Sequence, residues 1–156
     1  MTSAAVPIPD SSRQKVCWGH CGGAALGYAI ARSVETSPGP LLVIAPDIQA
    51  TQRLIAEIEF FSTSPDNEVL SFPDWETLPY DVFSPLPELV SQRLLTLHKL
   101  RQLRRGVVVV PVATVLQRLV PPGFVDGNSL LLNRGDELDI DAFRGRLESA
   151  GYQCVS

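Results

Sequence analysis

Two runs of this chain are apolar without alternation: Leu41 to Ala45 reads LLVIA, and Val107 to Val110 reads VVVV. A strand with one wet face alternates apolar and polar residues, because successive side chains point to opposite sides. An unbroken run predicts burial on both faces, the habit of parallel sheets covered by helices. Helical patterns separate the runs. Leu26, Ile30 and Val34 predict a helix over Ala24 to Val34, which SPGP (Ser37 to Pro40) stops. Asp47 is placed to cap a helix reaching Phe61, with Leu54, Ile55, Ile58 and Phe61 as its apolar stripe. Val69 to Phe72 predicts a third strand. Glu88 to Leu103 predicts a helix with Val90, Leu94, Leu97 and Leu100 on one side and Gly106 as its C′ glycine. Pro111 breaks the VVVV strand, and Ala113 to Val120 predicts a short helix. With Val16 to Trp18 as a first short strand, the alternation predicts an α/β domain: a parallel sheet flanked by helices.

At 156 residues and 45% hydrophobic content, the chain suits one domain, or one domain and part of another. Thirteen lysines and arginines against 17 aspartates and glutamates give a net charge of −4, which disfavours a broad nucleic-acid surface. Cys17, Cys21 and Cys154 are odd in number and form no CxxC, as expected of reduced intracellular thiols. Two histidines make a tetrahedral metal site a poor reading. The apolar runs are too short for a signal peptide or a membrane span, so a cytoplasmic protein with no membrane partner is expected.

The pattern changes after Pro121-Pro122-Gly123. Leu130 to Leu132 predicts a short strand. Leu138 and Phe143 bracket a cap that opens a helix to Ala150, with Gly151 at its C′ and a strand from Tyr152. The expected organisation is a flexible terminus over 1–14, an α/β domain over 15–125, and the truncated start of a second α/β domain over 126–156.

The stretch GHCGGAAL, Gly19 to Leu26, lies at the start of the first helix. A phosphate loop, GxxxxGK[ST], cradles phosphates with backbone N–H groups, reaches them with lysine and holds magnesium with a hydroxyl. With Gly19 as the first glycine, Ala24 takes the second glycine position, Ala25 the lysine and Leu26 the Ser/Thr. Gly22 and Gly23 lie between. The spacing fits, but neither the cation nor the hydroxyl is present. On pattern alone a plain glycine turn and a decayed phosphate loop both stand. GxGxxG is absent, and Asp47 reads as a helix cap before a ribose contact. Cys21 beside His20 lacks a third group for nucleophilic catalysis.

FPDWETLPYDVFSP (Phe72 to Pro85) predicts an aromatic loop at a strand end. Trp75, Tyr80 and Phe83 fit packing better than stacking on bases, because Asp74, Glu76 and Asp81 repel phosphate. Arg93, Lys99, Arg101, Arg104 and Arg105 form a basic helix end, read first as a solvated face, with Arg93 turned toward the leucines and the acidic loop. Asp47 and Asp74 follow strand ends, where capping is the simpler role than magnesium binding. No catalytic residue is assigned.

Four stretches together carry a resemblance: GPLLVIAPD, FPDWETLPYDVFSP, SQRLLTLHKL and RGVVVVPVATVLQRLVPP. From about residue 15 onward the chain resembles the amino-terminal region of bacterial transcription-repair coupling factors. That region is in turn similar to UvrB, the damage-recognition component of the nucleotide excision repair excinuclease. The resemblance implies a degenerate P-loop NTPase-like (RecA/helicase-like) domain, with Gly19, Gly22, Gly23, Ala24, Ala25 and Leu26 at the positions of the lost loop. It implies that this fragment is non-catalytic and binds no cofactor. ATP and Mg2+ would serve motor domains elsewhere in an ATP-dependent translocase that releases RNA polymerase stalled at lesions. It implies contacts with double-stranded DNA, RNA polymerase and other domains of the same factor through the full-length protein. The excinuclease component UvrA would bind through the second domain, whose main contacts lie beyond Ser156. Asp81 to Glu88 is too short for the hairpin that UvrB pushes between DNA strands. The alternative reading is a small nucleotide-binding or hydrolytic α/β enzyme with an atypical phosphate loop.

Overall fold

The computed structural model describes residues 6–9, 14–65, 67–77, 82, 84–123, 125, 134–135 and 137–149. Its elements run α1 (Ala25–Thr36), β1 (Leu41–Ala45), α2 (Ile48–Phe61), β2 (Glu68–Ser71), α3 (Pro87–Gln102), β3 (Gly106–Pro111), α4 (Val112–Val115) and α5 (Ile140–Ser149). They fall into two compact units, one ending at Leu119 and one beginning at Val120. The first unit has an α/β fold, a parallel sheet in the order β1-β3-β2. Val109 sits opposite Val43 on one side and Ser71 on the other. The VVVV run is the central strand, and every residue of β3 is buried.

One sheet face carries Val107, Val109 and Ala45 against Ile30 and Val34 of α1 and Leu54 and Ile58 of α2. Each such aliphatic side chain contributes about 1.5–3 kcal/mol when fully buried. Helix α2 starts where Asp47 predicts: Asp47 is extended, and its carboxylate accepts the Ala50 N–H at 2.7 Å. On the other face Leu70, Phe72, Val108 and Val110 pack under Leu97 and Leu103.

Four expectations change. First, Val16 to Trp18 is not a strand. Trp18 packs against the first core cluster and its Nε1 donates to Pro7 O at 2.8 Å, so a side chain and not a ladder anchors this segment. Second, β1 is not buried on both faces: Leu42 is 63% exposed and Ile44 53%. Register aligns them with Val108 and Val110, but β1 is an edge strand, and Leu97 and Leu103 pack over the β2 and β3 side chains. Third, the buried residues of α3 are Arg93 and Thr96, while Leu100 is 40% exposed. The helix lies along β2, whose outer edge needs donors. Thr96 Oγ1 donates to Ser71 O at 2.7 Å, Arg93 Nη1 to Pro73 O, and Lys99 Nζ to the Glu68 carboxylate. An edge strand is thereby closed by side chains. Fourth, Gly106 opens β3 instead of ending α3, which closes at Leu103 with its N–H on Lys99 O. Its φ is +145°, and a Cβ there would lie 2.3 Å from Glu68 O, so close strand approach explains the glycine.

The short helix after β3 ends at Val115, sooner than expected. In the second unit Asp139 caps α5, accepting the N–H groups of Asp141 at 3.0 Å and Ala142 at 3.1 Å. No residue of α5 is buried. The strands expected at Leu130 to Leu132 and Tyr152 to Val155, and the helix end at Ala150 and Gly151, lie outside the described residues.

Candidate functional site

The glycine turn is built before α1. His20 and Gly23 both take left-handed backbone, at φ +58° and +57°, and reverse the chain between Trp18 and Leu26. Gly23 adopts this conformation without the steric cost that a side chain brings. The turn bonds to itself: the Gly22 N–H donates to His20 O at 3.0 Å and the Ala25 N–H to Gly22 O at 3.2 Å. A phosphate cradle needs such N–H groups aimed at the anion, and here two of them are occupied. Ala24, at the N-cap, offers no side-chain acceptor. Ala25, expected at the lysine position, is an exposed methyl, and Leu26, expected at the hydroxyl position, packs against the core. Gly19 and Gly22 face open space.

The second candidate is the carboxyl edge of the sheet, where open α/β folds place ligands. Asp47 is engaged as the cap of α2. Asp74 follows β2 and is surrounded by donors: its carboxylate accepts the Trp75 N–H at 2.9 Å and the side-chain amide of Gln117. Arg93 lies beneath the same loop, 2% exposed, with its guanidinium 4.2 Å from the Phe72 ring centroid and 4.1 Å from that of Trp75. Burial lowers the Arg93 pKa below the ordinary arginine value, and the charge of Asp74 opposes that shift. Arginine remains charged across all working pH. The geometry is that of a packed cation holding a loop, and Trp75 presents its ring to Arg93.

Of the other predicted aromatic residues, Tyr80 and Phe83, with Asp81, lie outside the described residues. Lys99 pairs with Glu68, and Arg104 and Arg105 are exposed beyond α3. Among the described residues no group of three His, Cys, Asp or Glu side chains is placed to hold a metal ion. No described helix is long and apolar enough to cross a membrane. Sequence reasoning missed Gln117, Thr114 and Thr96. Thr96 carried a signal, a hydroxyl set among leucines in α3; Gln117 carried none, because its partner lies 43 residues away.

The fold and the two loops define a class: a small parallel α/β module with a self-bonded glycine turn ahead of its first helix. No family model matches the chain. It is 42% identical over 148 residues to the transcription-repair-coupling factor of Escherichia coli, covering 95% of this chain and 13% of the relative. It is 38% identical over 148 residues to that of Haemophilus influenzae, again 95% of this chain and 13% of the relative. To that of Myxococcus xanthus it is 32% identical over 136 residues, 84% of this chain and 11% of the relative. The chain matches the amino-terminal region of the transcription-repair-coupling factors by homology and is part of that family. It spans only a small part of these relatives, 13% of the length of the Escherichia coli protein.

Proposed function

We propose that this chain is a non-catalytic structural module of a transcription-repair-coupling factor. In this reading residues 15–125 are a degenerate phosphate-loop domain, and 126–156 open a second α/β domain. The excinuclease component UvrA binds through that second domain. The full-length protein is the ATP- and Mg2+-dependent translocase that acts on double-stranded DNA and stalled RNA polymerase, and motor domains elsewhere in it supply the turnover. The module itself contributes a rigid support for the other domains of the same factor, in the cytoplasm.

The observation that carries the reading is the start of α1, where Ala25 is exposed and Leu26 packs against the core; in this reading they stand where a phosphate-binding lysine and a metal-binding hydroxyl would be. Without an ammonium, charge on a triphosphate meets only helix-terminal N–H groups and a partial dipole. The loop's own hydrogen bonds reduce even that. Isothermal titration of the chain with magnesium and ATP tests the proposal. The expected result is no saturable heat. Saturable micromolar binding at one site per chain refutes it and favours a nucleotide-binding enzyme with an atypical loop.

A further inference from the structure

The segment leading out of the first unit is held in an unusual way. The unit ends at Leu119, yet the side chains just before that point bury little: Leu116 is 86% exposed and Leu119 53%. Apolar packing therefore does little to fix residues 116–119. Gln117 is half-buried, and its amide donates to the carboxylate of Asp74. On its own side Gln117 is joined to the fold by a short turn: its N–H donates to Thr114 O at 3.1 Å, and Thr114 is 2% exposed. Asp74 is fixed in turn by the Trp75 N–H and by the field of Arg93, so the acceptor is anchored to the loop after β2. The buried Gln117 Oε1 and Thr114 Oγ1 have no hydrogen-bond partner, so the donor half of the amide carries the attachment.

We propose that the Asp74–Gln117 contact is a clasp that decides whether residues 116–119 stay fixed to the first unit or come free at its carboxyl end. With the clasp made, the chain leaves the unit after Leu119. With it broken, the exposed side chains on either side hold nothing, and the free segment starts at Leu116. The clasp does not depend on whether the module binds nucleotide.

Arg118 is exposed and lies next to Gln117, which makes it a reporter. The test is limited trypsin digestion of the intact chain, with cleavage after Arg118 followed by mass spectrometry and cleavage after Arg104 as an internal reference. Proteolysis of this kind follows the population of the opened state. The expected result is that Asp74→Ala and Gln117→Ala each raise cleavage at Arg118 by about tenfold or more, tenfold being the low end for loss of a hydrogen bond to a charged acceptor. The double variant should be no faster than either single one, because both remove the same contact. Asp74→Asn keeps an acceptor oxygen and should stay closer to the parent chain than Asp74→Ala. Additive effects, unchanged cleavage at Arg118, or a parallel rise at Arg104 that places the effect in global unfolding would each overturn the clasp.

Discussion

Arg93 is the side chain on which the loop after β2 depends. Replacing it with alanine removes a guanidinium held between two rings, at 4.2 and 4.1 Å from their centroids, and leaves the Pro73 carbonyl without its donor. A desolvated cation–π contact is worth about 2 kcal/mol. A buried acceptor left unpaired costs about 1–3 kcal/mol. These losses belong to one group and do not add in full, so the expected destabilisation is about 3–4 kcal/mol, a large effect for a single substitution. At a urea dependence of about 2 kcal/mol/M, the unfolding midpoint falls by about 1.5–2 M. The chain has two tryptophans, so a Trp18→Phe background leaves Trp75 as the fluorescent reporter beside the substitution. Arg93→Lys should recover less than about half of the loss, because an ammonium cannot stack between two rings as a planar guanidinium does. A midpoint shift below about 0.5 M for Arg93→Ala, with the slope unchanged, would refute the sandwich.

Two further substitutions probe the sheet and the glycine turn. Val109 is 0% exposed at the centre of β3, so Val109→Asp buries an unpaired carboxylate and should abolish the cooperative thermal transition seen by circular dichroism; a variant that melts like the parent chain would contradict the sheet order. Ala25→Lys with Leu26→Thr restores both missing groups on paper, yet it should bind no ATP by titration, because the Gly22 and Ala25 N–H groups are occupied within the turn, and it should lose about 1 kcal/mol of stability as Leu26 leaves the core.

What the sequence made legible was local or strongly patterned. Asp47 caps α2 because capping is decided within four residues, and the carboxylate needs nothing distant to find the Ala50 N–H. The VVVV run announces a buried strand, and it is the central one. LLVIA is equally unbroken, but an apolar run does not state whether its strand lies at the centre or the edge, and Leu42 and Ile44, on the edge strand, are exposed. Helix α3 departs from its pattern for a different reason. Its leucines suggest the inward side, and Leu97 packs there with Arg93 turned the same way, as expected; Thr96 joins them because the edge of β2 offers the Ser71 carbonyl to its hydroxyl. Gly106 shows that one residue type serves two causes: a glycine after a helix reads as a C′ residue, and only the pairing of β2 with β3 shows that Glu68 leaves no room for a Cβ. At the candidate site, the alanine and leucine at positions 25 and 26 are visible in the letters. The self-bonded turn and the Asp74–Gln117 contact are not, because both depend on backbone or partners that no spacing rule encodes.

The glycine turn also shows how a helix start can be closed by its own backbone. In a working loop an anion satisfies the free N–H groups at the helix start; with no anion, those groups need other acceptors or water. Here Gly22 O takes one of them, the Ala25 N–H, and just ahead of the helix His20 O takes the Gly22 N–H, in a turn with left-handed backbone at His20 and Gly23. The same reversal returns the chain so that Trp18 and Leu26 pack against one core cluster. A hydroxyl at position 26 would give up that apolar contact, and a lysine at position 25 would add an unpaired charge at the positive end of the helix dipole. Leucine and alanine are therefore the residues that the turn favours: Leu26 adds to the core, and Ala25 places no charge at the helix end.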